Sequence, residues 1–166
     1  MTTDQTPLDG QQLMEQILRR ETIGYLGLCV GDESYVVPLN YTYTPDGRIL
    51  FHCALEGQKL DMIRANPNVC FAVSRQAIDP TEHYGEECST PYESVLCWGT
   101  ARVLDDIEER RQALAEFQVR YATEEEPRDS VSLERAARCG AVEIVVTRMT
   151  GRRVHAGDRT VWEWER

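Results

Sequence analysis

Two hydrophobic periods alternate along the chain. Over residues 8–21, Leu13, Ile17 and Leu18 recur at helical spacing. Asp9, followed three positions later by Gln12, has the pattern of a capping box, in which each side chain satisfies a backbone N–H at the helix start. From residue 23 the pattern changes. Residues 23–30 and 34–43 hold β-branched and aromatic residues without a helical period, and Gly31-Asp32-Glu33 separates them, so two strands are predicted. Pro45-Asp46-Gly47-Arg48 marks a turn, since Asp-Gly supplies the positive φ that a tight hairpin needs, and an apolar strand over 49–53 follows. A helix is predicted over 58–65. It stops at Asn66-Pro67, because the residue before a proline is pushed out of the α region.

A further apolar strand covers 68–74. Residues 75–93 then lack a period and contain Pro80 and Pro91, which predicts a long loop of the kind that often binds ligands. A strand over 94–104 is closed by Asp105-Asp106 and followed by an amphipathic helix. Ile107, Leu114, Phe117 and Tyr121 fall near one face of it, a stripe that reads as core packing or a subunit contact. Residues 124–138 are charged and read as a linker containing a short helix. The last apolar strand, 141–148, puts Val142, Ile144 and Val146 on one face. In the tail, Trp162 and Trp164 alternate with charges, which suggests an edge strand or a segment lying across a partner. About six strands with helices at the margins point to an α+β, mainly β fold centred on a barrel.

Composition narrows the function. A chain of 166 residues has room for one domain, burying about 70% of the surface its unfolded form exposes. No apolar run approaches the roughly 20 residues that cross a bilayer. The start, Met1 to Pro7, lacks the basic and apolar parts of a signal peptide, so a soluble cytoplasmic protein is expected. The net charge of −10 argues against nucleic acid as a partner. Six cysteines include no C-x-x-C pair, and Cys29, Cys53, Cys70 and Cys97 sit in apolar runs, where the thiol acts as a small reduced hydrophobe. Glu82, His83, Glu86, Glu87 and Cys88 fit no closed tetrahedral spacing, so no metal is expected and an acidic exposed loop is preferred.

Lys59 is out of place by charge, since it falls in the first turn of the 58–65 helix. A cation at that positive end is unfavourable by roughly 0.3–1 kcal/mol. A bound phosphate would reverse the sign, and Gly57 would let it approach the backbone. A solvated lysine offset by Glu56 is the other reading.

Four segments carry a resemblance. They are Tyr35-Val36-Val37-Pro38-Leu39-Asn40-Tyr41, Phe51-His52-Cys53-Ala54-x-x-Gly57-x-Lys59, Asn66-Pro67-Asn68-Val69-Cys70-Phe71 and Tyr92-Glu93-Ser94-Val95-Leu96-Cys97-Trp98-Gly99. In this order they resemble the nitroimidazole-resistance (Nim-type) proteins of the pyridoxamine 5′-phosphate oxidase-like group of FMN-binding split barrels. The match spans residues 22–121, with a weaker echo at 141–151. It implies a six-stranded split β-barrel with flanking helices in a single domain over 1–166, comprising a core at 22–148, an N-terminal helix at 8–21 and a tail at 149–166. It also implies FMN as cofactor and a homodimer with the flavin at the subunit interface.

Under that resemblance Lys59 would pair with the FMN phosphate, with Gly57 and Gln58 donating beside it. Val37, Pro38, Leu39 and Asn40 would line the isoalloxazine. His52 and Ala54 would sit where ribityl and phosphate meet, and Ser94 and Cys97 would complete the pocket. Each has a plainer reading: His52 as a structural histidine, Pro38 as an edge marker, Asn40 as a turn residue, Ser94 and Cys97 as ordinary strand positions. The implied reaction is two-electron reduction of a small oxidant such as a 5-nitroimidazole, with His52 as a proton donor. A flavin carrier or redox sensor, a pyridoxamine 5′-phosphate oxidase-like enzyme and a flavin-free interaction module are the alternatives.

Overall fold

The computed structural model describes residues 9–76, 91–121, 131–155 and 158–166. Its elements are α1 (Gly10–Arg20), β1 (Ile23–Val30), β2 (Glu33–Asn40), β3 (Thr42–Tyr43), β4 (Arg48–Cys53), α2 (Gln58–Ala65), β5 (Asn68–Gln76), β6 (Tyr92–Val103), α3 (Ile107–Tyr121), α4 (Leu133–Arg138), β7 (Gly140–His155) and β8 (Asp158–Glu165). The capping box at α1 is formed: Asp9 Oδ1 accepts from the Gln12 amide at 2.8 Å, and Gln12 Oε1 accepts from the Asp9 amide at 3.1 Å.

All strand pairs are antiparallel, in the order β2-β1-β5-β6-β7-β4-β3, with β8 joined to β7. The sheet path thus has seven strands rather than the six expected. One cause is Tyr41, which splits the predicted 34–43 strand into β2 and β3. These two stand at opposite ends of the strand order, yet one residue separates them. The sheet must therefore curl until its ends meet, giving a half-barrel consistent with a split barrel.

Tyr41 is fully buried at that seam. Its hydroxyl donates to the Leu18 carbonyl at 2.7 Å, its ring meets Phe71 edge-on at 4.9 Å, and its own carbonyl accepts from the Tyr121 hydroxyl at 2.5 Å. Arg120 lies over the ring and donates to the carbonyls of Leu18 and Glu21. The end of α1, the seam and the end of α3 are thereby tied together.

The second difference lies in β7, which continues past the predicted end at residue 148. Its N-terminal part pairs with β4 and its C-terminal part with β8 along the same edge, while β6 runs along the other. A β-bulge at Trp98/Gly99 shifts the register, so buried positions on β7 pass from Val146 to Met149. Gly99 is required there, since a Cβ would stand 2.2 Å from the Val145 carbonyl oxygen. The tail strand β8 lays Trp162 and Trp164 against the core; Trp162 sits between Gly10 and Gly151.

Alternation along β4 divides the interior. Ile49 and Phe51 enter the barrel core with Leu26, Phe71, Val142 and Ile144, to which α1 adds Met14 and Leu18. Leu50 faces the other way, into a smaller core with Leu104, Ala113, Leu114, Val131 and Ala136 from α3, α4 and their flanks. Arg48 pins α3 over this face through Glu116 at 3.1 Å, and is itself held by Glu143 of β7 at 2.8 Å.

Replacing Tyr41 by alanine is expected to cost about 3–5 kcal/mol, as for other large aromatic deletions. Tyr41→Phe should cost only about 1 kcal/mol for the lost hydrogen bond. Urea denaturation of both variants checks this, and equal losses would assign the seam to the hydroxyl rather than the ring.

Candidate functional site

The start of α2 is built for an incoming acceptor. Gly57 is its N-cap with φ 136° and no side-chain cap hydrogen bond, and nothing lies within 4 Å of where its Cβ would be. The first amides of a helix have no partner within it. Lys59 is half-buried and forms no salt bridge among the described residues. Burial raises the Cys53 pKa and lowers that of His52; the Lys59 charge opposes the first shift and adds to the second, so the ammonium stands by the end of β4. Among the described residues Glu56 forms no salt bridge with it, and the Gln58 side chain is engaged elsewhere, donating to Glu33 Oε1 at 2.9 Å. Ala54 lies exposed between β4 and this turn.

His52 points out from β4 toward α3. Its ring meets Phe117 edge-on with centroids 4.6 Å apart, and Phe117 stacks on Tyr121 at 4.6 Å. The Tyr121 hydroxyl is bonded by the Asn40 side chain, which also donates to the Thr22 carbonyl at 3.1 Å. Two predicted site residues on separate strands, Asn40 and His52, are thus bridged by the aromatic stripe of α3. That stripe had read as core packing or a subunit contact. Ile107 is 40% exposed, and Phe117 and Tyr121 wall a cavity of about 150 Å³. His52, Gln118, Arg135 and Cys139 complete the polar lining, over a floor of Leu114 and Val131. Burial first, then Arg135 and Lys59, hold the His52 pKa below its ordinary value.

The β2 wall divides by strand alternation. Val37 and Leu39 turn toward the core, whereas Pro38 and Asn40 are exposed. Pro38 pairs in register with Tyr25, which pairs with Ala72, which pairs with Leu96; Val36, Gly27, Cys70 and Trp98 form the adjacent row. Tyr25 (44%), Val36 (65%) and Leu96 (37%) are exposed, so the outer sheet face carries an apolar patch. Ser94 and Cys97 do not share a wall, because positions three apart on a strand face opposite sides. Ser94 lines a separate groove of about 220 Å³ with Tyr92, Thr150 and Arg152. Cys97 is wholly buried in the barrel core, where burial drives its thiol pKa far up. It lines neither of these two cavities.

Residues 11–153 match the pyridoxamine 5′-phosphate oxidase family. The chain belongs to that family. No curated protein matches its sequence. Among solved structures, it resembles a candidate 5-nitroimidazole antibiotic resistance protein from Bacteroides thetaiotaomicron, with 28% identity over 87% of this chain and 84% of that one and a TM-score of 0.70. An FAD-binding protein from Mycobacterium smegmatis is 25% identical over 89% of this chain and 96% of its own, with a TM-score of 0.56. An FAD-binding protein from Mesorhizobium loti shares the fold at 19% identity, with a TM-score of 0.61 and coverage of 89% and 96%.

The acidic group from Glu82 to Cys88 lies outside the described residues, as does most of the predicted 75–93 loop. Among the described residues no helix is long and apolar enough to cross a membrane.

Since folded His52 takes up a proton less readily than an unfolded histidine, the unfolded state binds more protons just below pH 6.5. Stability should therefore fall as the pH drops below that value. His52→Gln is expected to flatten the dependence of the thermal midpoint on pH in that window; an unchanged slope would show that this imidazole titrates normally.

Proposed function

We propose that this chain is an FMN-binding flavoprotein that acts as a homodimer, with flavin at the subunit interface, and reduces a small oxidant such as a nitroaromatic. The observation that carries this reading is Lys59, half-buried beside a helix start left uncapped by Gly57. A flavin phosphate there would accept from the Gln58 and Lys59 amides, offset the ammonium and suit the helix dipole. Family membership and the likeness to an FAD-binding protein support a flavin. The single lysine at this cradle and the four-segment resemblance favour FMN. The apolar outer face supports self-association, since the small residues Gly27, Cys70 and Ala72 between its larger side chains let a second copy approach closely.

Bound flavin supplies the hydride chemistry. The chain's part is to anchor the phosphate at Lys59, to set Pro38 and Asn40 against the ring, and to exclude water with the α3 aromatics. His52 is neutral near pH 7 because of its lowered pKa, and as a proton donor it works best on the acid side. The likeness to a candidate nitroimidazole-resistance protein supports a nitroarene as the oxidant.

The test is the visible spectrum of the purified protein, titrated with FMN and separately with FAD. Wild type should take up FMN, and Lys59→Ala should bind it roughly tenfold to a hundredfold more weakly, from the loss of a charged hydrogen bond. A wild type that takes up neither flavin sinks the reading. Uptake without reoxidation of the chemically reduced protein by a nitroarene would leave a carrier or sensor.

A further inference from the structure

The cavity between β4 and the α3–α4 layer offers more than the flavin reading uses, which takes from its lining only His52 and the α3 aromatics. Its volume of about 150 Å³ matches the size at which an apolar protein cavity, about 150 Å³, holds one benzene ring. Phe117 and Tyr121 offer ring faces and edges on one side, and Leu114 and Val131 make the base apolar. The opposite rim is cationic. Arg135 donates to Gln118 Oε1 at 3.1 Å, which aims the guanidinium across the opening, and it forms no salt bridge among the described residues.

In a chain with a net charge of −10, this local sign is unusual. Among the described residues no carboxylate lines the cavity. The acids on its two roofing helices are committed elsewhere: Glu116 to Arg48, Glu109 to Arg102, Glu108 to Arg111 and Glu134 to Arg138. Burial first, then the charges of Arg135 and Lys59, lower the His52 pKa, in keeping with a cationic rim.

We propose that this cavity is a binding site for a single-ring aromatic carboxylate, with the ring against Phe117 and Tyr121 and the carboxylate on Arg135. A planar guanidinium pairs two N–H groups with the two oxygens of a carboxylate, which a neutral nitro or hydroxymethyl group matches poorly. The volume accepts one ring with a one-carbon acid group; pyridoxamine phosphate, with its phosphate ester arm, is too large to be enclosed. The site needs no flavin, so its failure and the failure of the flavin reading are separate results.

The test is an NMR titration of the full-length protein, flavin-loaded or free as purified, with benzoate, following the imidazole signals of its three histidines. His52 is assigned by its absence in His52→Gln. Benzoate should shift the His52 signal saturably and leave the others in place, and nitrobenzene and benzyl alcohol should bind at least tenfold more weakly. Arg135→Gln, an exposed helix position, should weaken benzoate at least tenfold, and Phe117→Leu, which keeps the bulk, should weaken all three probes alike. No shift of His52, or equal benzoate affinity in Arg135→Gln, overturns the proposal. Nitrobenzene binding as tightly as benzoate overturns the charge recognition and leaves an apolar pocket.

Discussion

The architecture depends on closure at Tyr41. A curled sheet can leave its two end strands apart, but here they are consecutive in the chain, and a single residue bridges them. That residue must be large enough to fill the seam and must have its polar atoms satisfied, or the cost of burying them would exceed the gain. Tyrosine meets both demands, with Leu18 accepting from its hydroxyl and Tyr121 donating to its carbonyl. The same contacts fix where α1 ends and where α3 docks. The cavity beside His52 exists because α3 is held at that distance from β4.

Electrostatics then sort the cations. Most arginines are spent on carboxylates or on main-chain carbonyls: Arg48 on three acids, Arg75 and Arg153 on the buried Glu93, Arg110 on the carbonyls that end β6 and α4. Lys59 and Arg135 escape this pairing, and both act on His52. In an acidic protein an anion is drawn to such a place by local geometry rather than by the overall field.

Much of this was legible in the sequence wherever the signal is local. The capping box of α1, the extent of β1 and the limits of α2 between Gly57 and Asn66-Pro67 follow from neighbouring residues alone. The split at Tyr41 was hidden, because the run of aromatic and β-branched residues continues through 41–44 and only the tertiary demand for closure breaks it. The β7 alternation fails near residue 148 and so looked like an end, although the cause is a bulge opposite Gly99. Candidate site residues along one segment, from His52 to Lys59, were open to a reading of local sequence. Phe117, Tyr121 and Arg135 were not, since their role depends on where two helices dock across β4. The odd spacing of Ser94 and Cys97 was itself a readable sign that they face opposite sides.

The two cores lie on either side of β4 and β7, and the outer one is small. The α3 layer rests on that small core and on ion pairs such as Arg48–Glu116 and Arg102–Glu109, whose acidic members are half in solvent. Pairs of that kind weaken as mobile ions accumulate around them. The barrel, held mainly by apolar packing and by ion pairs on the buried Glu93, depends on screening less than the roof over His52 does. The salt content of the surroundings therefore sets how firmly that roof is seated.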